Sequence, residues 1–366
     1  MQKPVTKIAL ILSILFLLAF LITTFEDLHS YAGWFLVMFF ASLALFFRGY
    51  DLLKGYVFTI MIFAAVTAAM YHPEYFISIG DFKLSGLIIP LMQIIMFGMG
   101  TTLSLWDFTR VIKMPKGVIV GIVCQFTIMP FLGWTIANLF SFPEEIAAGI
   151  ILIGSCPSGL ASNVMSYLAK ANLALSITIT AVATMLAPVM TPFYMKILGG
   201  EFVDISYMAM MWDITKVVII PIVAGLIFHH LFQSRFKILD KIMPLISMGG
   251  IALILVVIIS RGRDALLEVG LLLVAAVFIH NMFGYFLGYG ASKLLRMPEQ
   301  DCRTIALEVG MQNGGLASSL AADTLGKAST IGLAPAIFGS MMNITGSTLA
   351  LWWRGKKIPG QVEEES

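Results

Sequence analysis

Gly154-Ser155-Cys156-Pro157-Ser158-Gly159 interrupts one apolar run, Ile146–Leu168, near its middle, and Gln312-Asn313-Gly314-Gly315 interrupts another, Thr304–Ala322. Proline forfeits a backbone donor and glycine weakens a helix, so neither stretch is expected to stay helical throughout. The two breaks are related in sequence. Gly159-Leu160-Ala161-Ser162 returns as Gly315-Leu316-Ala317-Ser318, at an offset of 156. Gln125 and His280, rare polar residues in apolar runs, are 155 apart, and Phe131-Leu132-Gly133 and Phe286-Leu287-Gly288 share that offset. Leu186-Ala187-Pro188 and Leu333-Ala334-Pro335 recur at a shorter spacing, as a loop deletion between copies would give.

The chain around these breaks is built for a bilayer. Of its 366 residues 59% are hydrophobic and 12% charged, where a soluble domain carries roughly 25% charged. So few ionisable groups cannot cover the surface in water, and lipid must solvate much of it. A spanning helix needs about 20 mostly apolar residues. Twelve such runs follow one another: Ile8–Phe25, Tyr31–Phe47, Leu52–Met70, Leu84–Leu105, Val118–Phe140, Ile146–Leu168, Leu173–Ile197, Met208–Phe228, Ile242–Ile259, Leu266–Leu294, Thr304–Ala322 and Ile331–Trp353. Lys3 and Lys7 before the first run resemble the start of a signal peptide, but without a small-residue cleavage site the run reads as a retained helix. With the N-terminus inside, the 23 Lys and Arg fall at inner ends except Lys83, Lys196, Arg261, Arg263 and Lys327, outside, and Lys216, within a run. That asymmetry places both termini in the cytoplasm. A net charge of +2 gives no reason to expect a nucleic-acid partner. Cys124, Cys156 and Cys302 are too dispersed for a metal site and read as packing residues.

The offset spans five crossings, so the second copy enters the membrane from the opposite side. Halves of five and opposite orientation make the inverted-topology repeat of secondary transporters, in which matched broken helices mark the transport site. Unpaired backbone groups at mid-membrane are tolerated only where they line a cavity or bind something.

Glu308 is the costliest residue in this arrangement, since a carboxylate at a helix centre costs about 2.5–3.5 kcal/mol. Gln312 lies four residues on, on the same helical face. A small cation held by the carboxylate and by freed carbonyls would satisfy both; a carried proton and a structural hydrogen bond are the competing readings. Ser162, Asn163, Ser176 and Thr180 cluster near the first break and add oxygen, although such hydroxyls commonly bond back to their own helix. His280 and Asn281 read as helix–helix contacts, and Asp213 with Lys216 as a local pair.

At these residues the chain resembles the bile acid:sodium symporter family. Phe97-Gly98-Met99-Gly100, Gln125-Phe126 with Met129-Pro130, Ala161-Ser162-Asn163-Val164-Met165 with Tyr167-Leu168-Ala169, and Glu308-Val309-Gly310-Met311-Gln312-Asn313 look like its signature segments, within a similarity from about Gly49 to Lys357. The resemblance implies an all-α polytopic membrane protein with ten helices in two inverted five-helix repeats (5+5). Four helices would form a panel and six a core, with two broken helices crossing in the core. On that pattern the chain divides into a first repeat (49–200), a second, inverted repeat (201–357) and a cytoplasmic tail (358–366), preceded by two additional N-terminal transmembrane helices (1–48) that the common ten-helix form lacks. It also implies two sodium sites. One would use Ser162, Asn163, Ser176, Thr180 and Glu308; the other Gln125, Glu308, Gln312 and the carbonyls of Val309 and Met311. Substrate would sit beside the crossing, near Gly159, Leu160, Asn313, Gly314, Gly315 and Asn343. Two departures stand out. Leu160 replaces a threonine and Met342 a histidine usual in bile-acid-handling relatives, so the resemblance carries sodium coupling further than bile acid itself.

The expectation is a sodium-coupled symporter, not an enzyme, in a bacterial inner membrane, bringing in a small organic anion such as a carboxylate or sulfonate by alternating access. Its partners are that anion, sodium ions and membrane lipids. The alternatives are proton coupling or efflux on the same scaffold, and a non-transporting membrane receptor or scaffold.

Overall fold

The computed structural model describes residues 3–50, 53–232, 237–323 and 328–356. The tail 358–366, Arg235, Lys327 and Lys357 lie outside the described residues, as do the side chains of Lys3, Lys237 and Lys241. The protein is an all-α polytopic membrane protein. Its helices follow the apolar runs: α1 (Lys3–Phe25), α2 (His29–Phe47), α3 (Val57–Tyr71), α4 (Ile88–Thr102), α5 (Pro115–Leu139), α6a (Glu144–Ser155) and α6b (Ala161–Leu168), α7 (Leu173–Tyr194), α8 (Tyr207–Phe232), α9 (Lys237–Arg261), α10 (Arg263–Leu294), α11a (Glu299–Gly310) and α11b (Gly314–Asp323), and α12 (Leu333–Arg354). Among the described residues eight helices are long and apolar enough to cross a bilayer unaided. The other four predicted runs correspond to α9, whose apolar part is Leu245–Arg261, to α12, and to the two interrupted helices.

Several short elements had no counterpart in the apolar pattern, and two of them stand out. A short helix, Leu105–Lys113, separates α4 from α5. A two-residue hairpin pairs Ser78 with Lys83 and Ile79 with Phe82, its turn made by Gly80 at φ +57°. Both are too short to register as crossings.

The helices gather into two groups. α3, α4, α8 and α9 pack on one another, and α5, α6, α7, α10, α11 and α12 form the second group. The first group closes backbone to backbone, because a Cβ at Gly100 would collide with Ile222 O and one at Gly225 with Phe97 O. Within α8 a π-helical turn, Thr215–Ile219, precedes Pro221, whose missing donor frees a carbonyl one turn back. α1 lies on α2 and α2 on α3, where Trp34 stacks on His72 at 4.5 Å.

In the second group the repeated tripeptide has one job in both copies. A Cβ at Gly133 would lie 2.9 Å from Ile150 O of α6a, and one at Gly288 3.2 Å from Ile305 O of α11a. Each glycine brings the long helix, α5 or α10, against the broken helix that follows it. Cys124, Cys156 and Cys302 are free and buried, as packing residues.

Candidate functional site

Both interrupted helices open where glycine and proline predict. α6a ends at Ser155, and Cys156 is extended (φ −78°, ψ 157°). α11a ends at Gly310, and Met311 is extended (φ −108°, ψ 94°). The unwound strands pair with each other, which the sequence did not reveal: Ser158 and Gln312 form an antiparallel bridge. Gly159 N donates to Met311 O at 3.0 Å and Asn313 N to Pro157 O at 2.9 Å.

The remaining freed carbonyls are capped by side chains from neighbouring helices, as buried backbone groups demand. Gln125 Nε2 of α5 donates to Cys156 O at 2.9 Å, and Thr191 Oγ1 of α7 to Ser155 O at 2.8 Å. Asn281 Nδ2 of α10 donates to Gly310 O at 2.8 Å. By role, therefore, Gln125 corresponds to Asn281 and not to its sequence match His280, which instead contacts Met129 O at 3.0 Å.

Beside this crossing the five residues of the first expected cation set meet. Glu308, fully buried on α11a, accepts through Oε1 from Ser162 and Ser176, both at 2.6 Å. Its Oε2 accepts from Ser158 at 2.6 Å and Thr180 at 2.9 Å. Asn163 Oδ1 lies 2.8 Å from Ser176 Oγ and 3.3 Å from Thr180 Oγ1. Ser158 is the member that the sequence reading missed. It sits in extended backbone, where no helical period aligns it with Glu308; only its place inside the break pointed to it.

The cage is short of positive charge. Among the described residues no Lys, Arg or His forms an ion pair with Glu308, and no group of three or more His, Cys, Asp or Glu gathers as a metal cluster. Each hydroxyl has one proton to give. Ser162 Oγ faces Gly159 O at 2.8 Å as well as Glu308, and Ser176 and Thr180 face Asn163 as well as Glu308. The four hydroxyls thus face seven acceptor contacts with four protons, so not all of these contacts around the buried carboxylate can be hydrogen bonds at once. A hard monovalent cation suits such a donor set, in which freed carbonyls also take part.

The second expected set is only partly assembled. Gln125 Nε2 donates to Gln312 Oε1 at 2.7 Å, and Gln312 Nε2 to Val309 O at 2.6 Å. Met311 O is engaged by Gly159 N, and the Glu308 oxygens face the hydroxyls of the first set.

A cavity of about 110 Å³ lies against the crossing, between the two helix groups. Phe58, Ile95, Met96, Ile251 and Leu255 of the first group form one wall. The opposite wall holds all six expected substrate positions, Gly159, Leu160, Asn313, Gly314, Gly315 and Asn343, together with Met342. The N-terminal turns of α6b and α11b open onto it. Asn313, which lines the cavity, caps α11b by accepting from Leu316 N through Oδ1 at 3.0 Å. Asn343 Nδ2 is held by Gly339 O at 2.7 Å. Among the described residues no lysine, arginine or histidine lines the walls.

Comparison with known proteins gives the same direction. Residues 89–269 match the model of the Sodium Bile acid symporter family. An uncharacterized sodium-dependent transporter of Bacillus subtilis (strain 168), YocS, is 40% identical over 283 residues, 77% of this chain and 88% of that protein. The probable chloroplastic sodium/metabolite cotransporter BASS1 of Arabidopsis thaliana is 34% identical over 75% of this chain and 68% of its own length. The human ileal sodium/bile acid cotransporter is 31% identical over 65% of this chain and 69% of its own.

Proposed function

The chain belongs to the sodium bile acid symporter family, and from that membership we propose that it is a sodium-coupled symporter that carries a small organic anion across a membrane by alternating access. It is a transporter and not an enzyme. The observation that carries the reading is the cage: one buried carboxylate, ringed by four hydroxyls and with no cationic partner among the described residues, beside two broken helices. Sodium ions are cargo here. One would sit among Ser162, Asn163, Ser176, Thr180 and Glu308. A second would use Gln125, Gln312, Val309 O and Met311 O, drawing in Glu308, after rearrangement of the amides that now bond each other.

The anion would occupy the adjoining cavity. Helix N-termini carry partial positive charge and spare N–H donors, and α6b and α11b present theirs beside the amides of Asn313 and Asn343. With no full cationic side chain in the walls, this favours a single carboxylate or sulfonate over a multiply charged anion. Leu160 and Met342 add an apolar face for a short hydrocarbon body.

We assign α3, α4, α8 and α9 to a panel and the other group to a core, in two inverted five-helix repeats preceded by α1 and α2. The shared contacts of Gly133 and Gly288, and the matched caps of Gln125 and Asn281, support that repeat. Both termini would be cytoplasmic, in a bacterial inner membrane. Two sodium ions moving with one monoanion transfer one net charge, worth about 2.3 kcal/mol at 100 mV, and two tenfold sodium gradients add about 2.8 kcal/mol.

The test is uptake into proteoliposomes under imposed gradients. An inward sodium gradient should drive carboxylate accumulation, faster with an inside-negative potential, while a proton gradient with potassium replacing sodium should not. Uptake indifferent to sodium and to potential would end the reading, and uptake following protons alone would replace it with proton coupling.

A further inference from the structure

Arg303 is only 2% exposed, and the transport reading gives it nothing to do. It precedes Glu308 by five residues on α11a, which at 3.6 residues per turn sets the two side chains about 140° apart around the helix. The guanidinium therefore points away from the carboxylate. Its Nε donates to Glu299 Oε1 at 3.0 Å, and its Nη1 to Ala169 O at 3.2 Å and Trp353 O at 3.1 Å. Ala169 caps the C-terminus of α6b, and Trp353 lies in the last turn of α12. The cation thus joins the carbonyl ends of two helices, where positive charge is favoured.

One turn of chain away stands a second tie. Asn172, the N-cap of α7, donates through Nδ2 to Asp301 Oδ1 at 2.8 Å, while its backbone N donates to Thr304 Oγ1 at 2.9 Å. Both partners belong to α11a.

Buried ion pairs add little to stability, because desolvation offsets the attraction; geometry is the better reason to keep one. Here the geometry is specific. Besides α12, the elements tied by Arg303 and Asn172 are α6b, α7 and α11a, and these three bring Ser162 and Asn163, Ser176 and Thr180, and Glu308 into one cage.

We propose that Arg303 and Asn172 are positioning residues of the cation cage: without touching the ion, they fix the relative register of its three walls. The proposal rests on the cage being a sodium site. Removing groups that orient metal ligands typically costs 10–100-fold in metal affinity.

The test uses the full-length protein with Arg303→Gln, Arg303→Lys and Asn172→Ser. The serine retains a capping oxygen for α7 and drops the amide that reaches Asp301. Uptake into proteoliposomes is titrated with sodium, and in parallel sodium is titrated against the melting temperature in detergent. In Arg303→Gln and Asn172→Ser the half-saturating sodium should rise about tenfold or more by both readouts. The rate at saturating sodium should be unchanged, and Arg303→Lys should recover part of the loss. Variants that melt lower yet keep the wild-type sodium midpoint would overturn the proposal, leaving Arg303 and Asn172 merely structural. If Arg303→Gln does not accumulate, Asn172→Ser decides alone. A wild-type protein that does not distinguish sodium from potassium would instead remove the sodium reading, and this proposal with it.

Discussion

At Glu308 the cost of burying a carboxylate in the membrane is met by hydroxyls instead of by a basic residue. That choice leaves the carboxylate without the permanent countercharge that a lysine or arginine would supply, as the proposed sodium site requires. A hydrogen bond to a charged group contributes about 1.5–3 kcal/mol, equivalent to about ten- to hundredfold in an equilibrium constant. Ser162→Ala and Ser158→Ala should each raise the half-saturating sodium concentration by about that factor, measured as sodium-dependent thermal stabilisation. Ser166 supplies the control: its buried hydroxyl, one turn along α6b from Ser162, has no hydrogen-bond partner, so Ser166→Ala should leave the sodium midpoint in place. Glu308→Gln keeps the shape of the side chain and removes its charge. The sodium-dependent rise in melting temperature should vanish in that variant, while the protein without sodium melts no lower, because a buried charge has been discarded. A Glu308→Gln protein that still answers to sodium would place the ion elsewhere.

For the elements, close backbone approach decides what each helix tolerates. A Cβ at Gly100 meets the Ile222 carbonyl, which has no rotamer to retreat to; one at Gly288 meets Val309 Cβ at 3.0 Å and Ile305 O at 3.2 Å; at Gly290, two residues on, it meets nothing within 4 Å. The three alanine variants should therefore form a series. Gly290→Ala should stabilise by about 0.5–1 kcal/mol through helix propensity, Gly288→Ala should destabilise slightly, and Gly100→Ala should lose about 1–3 kcal/mol or more through overpacking. Melting temperatures in one detergent test the order, and Gly100→Ala melting above Gly290→Ala would refute the close contact of α4 with α8. The same contrast explains what could be read from sequence. The breaks were legible because proline and glycine act on their own helix, and Glu308 because a carboxylate conflicts with its apolar run. The pairing of the two breaks, the place of Ser158 and the tie of Arg303 to Ala169 depend on partners more than a hundred residues away, and the capping of Gly310 O by Asn281 on a partner in another helix 29 residues away. No period along one helix encodes them, which is why His280 was matched to Gln125 when Asn281 does the corresponding work.

For the whole molecule, the cavity lies between two helix groups that are each closely packed within themselves. Alternating access requires the groups to move relative to each other while the cage stays intact inside one of them. Gly315 in the second helix group and Ile251 in the first offer a direct check, since a Cβ built on Gly315 lies 3.8 Å from Ile251 Cγ1, the γ position that a cysteine sulfur would occupy at 251, which brings the two within reach of a disulfide after a small adjustment. With Cys124, Cys156 and Cys302 replaced, Gly315→Cys combined with Ile251→Cys should cross-link under mild oxidation. The oxidised protein should lose uptake and regain it on reduction, while neither single variant should change its uptake between the two conditions. Sodium should still raise the melting temperature of the cross-linked form, because Ser162, Ser176, Thr180 and Glu308 all lie on the core side of the bond. Transport that continues through the closed disulfide would show that these two walls need not separate. Loss of sodium binding on oxidation would show that the cage is not confined to one group.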